Sequence, residues 1–462
     1  MVPWIARNFI CPLHERLLGR PTMRYVRDLE ASQWWSPDEL VEFQREKLRA
    51  LLHHAWSNVP FYRARLDEAN IKPQRDDPFD ALKRLPMLDK TQIRADLSDM
   101  LWHRAAGGLF KYNTGGSTGQ PLTFYIDRRR QACDQAGRIR THRWFGVDLG
   151  ERELWLWGSP VELEHADRLK RWRDRLFNHR LLNAFSMSAE AMDAYLQELD
   201  RFEPACLFGY PSSIAHLVEH ARHTGFHLRR KSLRAVFVTG EVCYPHQRET
   251  IAEYFGVPVA DGYGSRDGGF IAHQCEQGTV HIMAENLIVE IIENGKPVLQ
   301  GQEGEIVITH LDAYGMPFIR YRTGDRGRLK AGRCSCGRGL PMMDAVQGRH
   351  TDFVYMPDGT SKHALCVIYV MREMPGVTRF RVTQRADFAI EVDIVPDAQG
   401  GDVSPGVIRA TLRRTLSNAV DVSVRFVADI DCDDAGKYRH VISYAHPPAG
   451  QTETTRKELT HV

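Results

Sequence analysis

Leu233-Arg234-Ala235-Val236-Phe237-Val238-Thr239-Gly240-Glu241 is an apolar run closed by a glycine turn, and Pro245 to Phe255 behind it reads as a helix. Val257-Pro258-Val259-Ala260-Asp261-Gly262-Tyr263-Gly264 repeats the strand and turn. Ahead of both, Ala205-Cys206-Leu207-Phe208-Gly209-Tyr210-Pro211-Ser212 is a strand and turn leading into a helix from Ser212 to Arg222. Strands alternating with helices predict right-handed crossovers and a parallel sheet. Ligands in such sheets gather beyond the carboxyl ends of the strands. Ser212, Glu241, Tyr263 and Asp267 all fall at such ends.

Working outward, Leu122-Thr123-Phe124-Tyr125-Ile126 is strand-like, an arginine-rich helix is predicted from about Arg128 to Trp144, and Leu154 to Pro160 reads as a buried strand and turn. Near the start, Ser36-Pro37-Asp38-Glu39 has the form of a capping box with proline at the first helical position, and the helix it opens should stop before Pro60. This N-terminal part has no cluster of titratable groups and reads as scaffold. Arg168 to Arg175 is a basic helical patch, either a solvated face or a contact for an anionic partner. From Val280 to Leu329 the pattern turns to strands, clearest at Ile306–Thr309 and Phe318–Tyr321, and predicts an appended antiparallel or barrel-like β unit. Met356-Pro357-Asp358-Gly359-Thr360 is a hairpin signal, and a small βαββ-type domain fits residues from about 350 to 448. The expected class is therefore α/β. A large N-terminal domain of mostly parallel sheets with a β unit spans 1–346, a small α+β C-terminal domain spans 347–448, and 449–462 form a loose polar tail.

Composition narrows the function. Lys plus Arg is 61 against 59 for Asp plus Glu, a net charge of +2, so there is no global case for nucleic acid or a membrane surface. No apolar run approaches the roughly 20 residues of a membrane span. Nine cysteines, odd in number and mostly scattered, suggest a reducing compartment and a cytoplasmic protein.

Four stretches carry chemistry. Asn113-Thr114-Gly115-Gly116-Ser117-Thr118-Gly119-Gln120-Pro121 offers glycines, hydroxyls and backbone N–H groups suited to phosphate oxygens. No lysine follows its last glycine, so it is not the loop of P-loop NTPases. Tyr263-Gly264-Ser265-Arg266-Asp267 puts a ring, a hydroxyl and a carboxylate at a strand end. Tyr321-Arg322-Thr323-Gly324-Asp325 puts a carboxylate in a tight turn, and Gly436-Lys437-Tyr438-Arg439 puts a lysine on a glycine turn near the C-terminus.

Taken in this order, with His53-His54-Ala55-Trp56 and Pro60-Phe61-Tyr62-Arg63 upstream, these motifs resemble the adenylate-forming superfamily over nearly the whole chain. The likeness is to its phenylacetate–CoA ligases and related capsule-biosynthesis proteins. The resemblance implies an acyl-adenylate synthetase-like fold whose small C-terminal domain is mobile and turns about residues 346–352 between two half-reactions. It implies ATP, Mg²⁺ and CoA. Thr114, Gly115, Gly116, Ser117, Thr118 and Gly119 would hold the phosphates, Tyr263 would lie against adenine, Asp325 would hold the ribose hydroxyls and Arg349 would contact the nucleotide. Gly240, Glu241, Asp261, Gly262, Gly264 and Ser265 complete the expected nucleotide site. Lys437 would reach in during adenylation as a catalytic residue beside Thr118 and Asp267, with Asp267 the expected Mg²⁺ ligand. Loop N–H groups, Mg²⁺ and a lysine would offset the repulsion between a carboxylate and a polyanion.

Three positions depart from the family pattern: Asp267 where glutamate is usual, Gln120 where many relatives have lysine, and Thr351 at the first of two hinge carboxylates, with Asp352 keeping the second. Those departures motivate the competing reading, a non-catalytic nucleotide-binding or assembly protein on the same fold. The leading reading is an acid–thiol ligase acting on a small carboxylic acid. Trp157, Phe208, Tyr210, Pro211 and Thr239 are candidate pocket walls favouring an apolar or aromatic acyl group. CoA, a carrier protein and an amine all stay open as acceptor, as does assembly into a homodimer. Apart from this chemistry, Cys275, His281, Cys334 and Cys336 have the residue types of a closed structural Zn²⁺ site tying the β unit to the core, or are reduced thiols beside a surface imidazole.

Overall fold

The computed structural model describes residues 2–113, 122–157, 173–184, 189–229, 232–344, 346, 353–358, 361–363, 367, 370, 371, 374, 376–396, 404–430 and 441–445. They fall into two compact units, the first drawn from 2–113 and 122–346 and the second from 353–445.

The first unit begins with helices whose caps are legible in the sequence. Helix Pro37–Asn58 starts at Ser36, whose hydroxyl accepts from the Glu39 N–H while the Glu39 carboxylate accepts from the Ser36 N–H. Its buried face, Leu48, Leu51, Leu52 and Ala55, joins one core with Ile306 and Ile308 of an antiparallel sheet and Phe318 of the loop that follows. That sheet runs Lys296–Pro297, Leu287–Glu293, Gly304–His310, Tyr321–Gly327 in spatial order. The N-terminal segment also hydrogen-bonds to it. The Leu88 N–H donates to the Arg320 carbonyl at 2.8 Å, and the Arg322 N–H to the Leu88 carbonyl at 2.9 Å. This pins the start of helix Lys90–Ala95 beside the Tyr321 strand.

The second sheet has nine strands among the described residues. Five run parallel, in the spatial order His179–Asn183, Glu153–Trp157, Cys206–Gly209, Ala235–Thr239 and Val259–Ser265. Ala235, Val236, Phe237 and Val238 are all buried, as a strand covered on both faces requires. From Val259–Ser265 onward the pairing turns antiparallel, through Gly269–Gln274, Val280–Ile282, Met342–Met343 and Leu329–Lys330. The β texture after Val280 is thus divided: part forms the separate antiparallel sheet and part extends the parallel one. A short hairpin, Leu109–Asn113 with Thr123–Asp127, leads into helix Arg128–Arg143, where the Asp127 carboxylate caps the Arg130 N–H at 2.8 Å.

In the second unit, strands Val422–Phe426, Ile390–Pro396, Val377–Gln384 and Val441–Ser443 form one mixed sheet in that order. Helix Pro405–Thr415 buries Ile408 and Leu412 in a core with Phe380, Val382, Val392 and Ile394. This α+β unit carries one more parallel crossover than a βαββ module. A hairpin of Phe353–Tyr355 with Ser361–His363 stands beside that sheet, and Val441–Ser443, three residues long, is too short to announce itself in the sequence.

Candidate active site

A strand of the parallel set and a strand of the antiparallel sheet bring together residues far apart in sequence. Strand Val259–Ser265 delivers Tyr263, and strand Tyr321–Gly327 delivers Asp325. The Tyr263 hydroxyl donates to Asp325 Oδ2 at 2.9 Å. Asp325 is held by its own turn: Gly324 takes φ +80°, Thr323 Oγ1 accepts from the Asp325 N–H at 3.1 Å, and the Thr323 hydroxyl donates to the Ile306 carbonyl at 2.8 Å. The Thr239 hydroxyl donates to the Gly262 carbonyl at 2.6 Å, joining two neighbouring strand ends. The Arg266 guanidinium donates to the Asn113 carbonyl at 3.4 Å, so the residue that precedes the glycine-rich stretch lies against the Tyr263–Asp267 turn.

Asp267 is 3% exposed and closely engaged. Its Oδ2 accepts from the Tyr321 hydroxyl at 2.5 Å and faces Lys90 Nζ at 3.8 Å. Burial alone would raise its pKa, but the Lys90 ammonium and hydrogen bonds from Tyr321 and Ser265 outweigh it and hold the carboxyl below its ordinary range. Ser265 Oγ also accepts from the Gly268 N–H at 2.8 Å. Beneath the turn, the buried Arg130 guanidinium donates to the carbonyls of Asp267 and Arg266 at 2.5 and 3.4 Å and pairs with Asp134 at 3.7 Å. A hydrated Mg²⁺ needs an open carboxylate oxygen. In Asp267, Oδ2 is engaged by Tyr321 and Lys90. Here it anchors the turn and balances Lys90.

Lys90, Tyr321 and Arg130 were not among the expected site residues. The available signal was Asp89 as N-cap, accepting from the N–H groups of Thr91 and Gln92, which fixes Lys90 at the first position of a helix.

Asp261 sits one strand-step before Gly262, and desolvation lifts its carboxyl to about 7 against the opposing pull of Arg248 and the Gly262 N–H. Gly240 and Glu241 lie in the bend after strand Ala235–Thr239, and Gly264 lies within strand Val259–Ser265. Three of the expected pocket walls meet. The Trp157 and Tyr210 rings stack with centroids 4.0 Å apart, and Phe208 lies 5.4 Å from Trp157. Gly240, at φ +82°, faces both stacked rings, and a Cβ there would lie 3.0 Å from Tyr210 and 3.2 Å from Trp157. Thr114, Gly115, Gly116, Ser117, Thr118, Gly119, Arg349 and Lys437 lie outside the described residues, as do Gln120, Thr351, Asp352 and most of the basic patch. Cys275, His281, Cys334 and Cys336 come together, their ligand atoms all within 4.8 Å of one another.

A sequence profile described as AMP-binding enzyme matches residues 181–311. A phenylacetate-coenzyme A ligase of Thermus thermophilus is 25% identical over 359 residues, covering 74% of this chain and 77% of that protein. Protein CapK of Staphylococcus aureus is 23% identical over 335 residues, covering 71% and 72%. The chain is similar to AMP-binding enzymes, and in particular to phenylacetate–CoA ligases and CapK. Among solved structures, a 2-hydroxyisobutyryl-CoA ligase in its postadenylation state matches with TM-score 0.66 at 20% identity, over 89% of this chain and 91% of that one. The acyl-adenylate synthetase fold expected from the motifs is therefore the fold found. No described helix is long and apolar enough to cross a membrane.

Proposed function

We propose that this adenylate-forming protein activates a carboxylic acid with ATP and passes the acyl group to the thiol of CoA. The substrate carboxylate oxygen attacks the α-phosphorus of ATP, pyrophosphate leaves, and an acyl-adenylate results. The CoA thiolate then attacks the acyl carbon, and AMP leaves. The observation that carries the proposal is the Tyr263–Asp325 pair at the strand ends. An aromatic ring and an acceptor carboxylate, locked 2.9 Å apart, fit the face of a purine and the hydroxyls of its ribose.

The remaining roles follow from charge. Bringing a carboxylate to a polyanion requires positive charge and N–H donors around the phosphates. The stretch Thr114–Gly119 would supply N–H groups and hydroxyls, and Lys437 and Arg349 would supply cations. Lys90 cancels the charge of Asp267, so the turn beside them is not net negative. Mg²⁺ entering with ATP would be held by phosphate oxygens, water and the Asp267 carboxylate. The Trp157–Phe208–Tyr210 cluster against Gly240 supports an apolar or aromatic acid. Pyrophosphate release measured across a panel of aryl and alkyl acids tests the reading. Release that depends on one acid class and disappears in Lys437→Ala is expected. ATP binding without release for any acid would favour instead a nucleotide-binding assembly protein on the same fold.

A further inference from the structure

The cluster of Cys275, His281, Cys334 and Cys336 has no part in acid activation. Cys275 ends strand Gly269–Gln274, and Asp267 lies just before the other end of that strand. One strand length, roughly 20 Å, separates the two. We propose that these four side chains bind one Zn²⁺ ion in a closed, structural site.

Two of the ligand spacings match the edges of a zinc-centred tetrahedron, and all four ligand atoms lie within 4.8 Å of one another. Zinc bonds thiolate sulfur at about 2.3 Å and imidazole nitrogen at about 2.0–2.1 Å. A regular tetrahedron with those bonds has S···S edges of about 3.8 Å and S···N edges of about 3.6 Å. Cys275 Sγ lies 3.7 Å from Cys334 Sγ, and Cys336 Sγ lies 3.3 Å from His281 Nε2. The first spacing is nearly twice a disulfide bond length of about 2.05 Å, and the two thiols are free.

The surroundings prepare the same ligands. His281 is fully buried, and its Nδ1 lies 3.2 Å from the Leu340 carbonyl. Only an N–H can satisfy that carbonyl, so the proton sits on Nδ1 and Nε2 faces Cys336 as a bare lone pair. A backbone carbonyl that fixes the tautomer of a metal-binding imidazole in this way is a recurring support for such ligands. Both cysteine turns are built alike. Cys275-Glu276-Gln277-Gly278 closes with the Gly278 N–H on the Cys275 carbonyl at 2.9 Å, and Cys334-Ser335-Cys336-Gly337 closes with the Gly337 N–H on the Cys334 carbonyl at 3.2 Å. Gly278 and Gly337 take φ +78° and +81°, which lets each chain fold back around its sulfur. The Cys336 N–H points at Cys334 Sγ at 3.5 Å, a donor that favours thiolate over thiol. Three soft thiolates and one imidazole in four-fold array select zinc over the hard cations Mg²⁺ and Ca²⁺.

The ion would join two segments that the sheet alone holds weakly. Residues 331–341 connect Leu329–Lys330 to Met342–Met343, strands of two residues each at the sheet edge. Zinc would fasten that connection to the interior strands Gly269–Gln274 and Val280–Ile282.

The test is metal analysis of the full chain purified without chelator or added metal, followed by cobalt(II) exchange. One zinc per chain is expected, released when the thiols are titrated with a mercurial. The cobalt protein should show the intense visible absorption of a tetrahedral thiolate site, and Cys336→Ser should bind no stoichiometric metal. Should that variant fail to fold, the wild-type zinc content and its mercurial release decide alone. Wild-type protein that folds without stoichiometric zinc, with these thiols reacting as free groups or with a Cys275–Cys334 disulfide seen by mass, would overturn the proposal.

Discussion

Replacing Asp325 with alanine removes the carboxylate assigned to the ribose. The residue is 8% exposed, and its Oδ2 is held by the Tyr263 hydroxyl at 2.9 Å. Hydrogen bonds to a charged acceptor contribute about 1.5–3 kcal/mol each. Two ribose hydroxyls could use it, but Tyr263 already occupies part of one oxygen. A net loss of about 3 kcal/mol, or roughly 100-fold in Kd for ATP, is expected. The turn itself should survive, because the Asp325 N–H to Thr323 bond is made by backbone. Calorimetric titration with ATP and with 2′,3′-dideoxy-ATP checks the assignment. The wild type should bind the dideoxy nucleotide about as weakly as Asp325→Ala binds ATP, and the variant should no longer distinguish the two. Equal losses for both nucleotides on mutation, or unchanged ATP affinity, would refute the ribose assignment.

Lys90→Met leaves the buried Asp267 carboxylate without its cation, and should cost about 2–4 kcal/mol of stability at pH 7. Because the folded-state pKa of Asp267 is depressed, its contribution is present above the ordinary carboxylate range and lost as pH falls through the folded value. The gap in Tm between variant and wild type should therefore narrow in acid, and a gap independent of pH would count against the pair. Asp261 has the opposite sign. With its carboxyl lifted to about 7, the native state holds a proton that the unfolded chain has released, so stability falls as pH rises from about 4 to about 7. Asp261→Asn should stabilise the protein at pH 8, on the order of 3 kcal/mol, and be nearly neutral at pH 4, as read by denaturant titration at both pH values. Gly240→Ala forces a side chain into a left-handed backbone 3.0 Å from the Tyr210 ring. It should cost about 1–2 kcal/mol of stability and lower kcat/KM for bulky acids more than for small ones, a selectivity change readable across an acid panel.

Much of the fold was legible because local patterns agreed with the tertiary outcome. Ser36, Pro37 and Glu39 announced a helix start that forms with both bonds of its capping box. The apolar run Ala235–Thr239 and the helix Pro245–Phe255 appear with the bounds their turns suggested. Tyr263 and Asp325, 62 residues apart, could be paired only through motif order, and the structure brings them into contact. The contacts of Lys90 and Tyr321 with Asp267 carried no comparable local signal. They depend on the Leu88–Tyr321 bridge between segments distant in the chain, and hydrophobic periodicity does not encode such a bridge. The engagement of Asp267 was invisible for the same reason: a carboxylate in a strand-end turn reads alike whether it faces a metal or an internal lysine. The antiparallel half of the large sheet was missed in part because its edge strands, Leu329–Lys330 and Met342–Met343, are two residues long.

We propose that turns from the parallel and the antiparallel sheets surround a mononucleotide whose α-phosphate accepts a carboxylate. Mass spectrometry of the full chain incubated with ATP and an aromatic acid, first without CoA and then with it, reads both half-reactions. An acyl-adenylate that accumulates in the first mixture and becomes an acyl-CoA in the second is the predicted result. ATP bound and recovered intact with every acid supplied would contradict it.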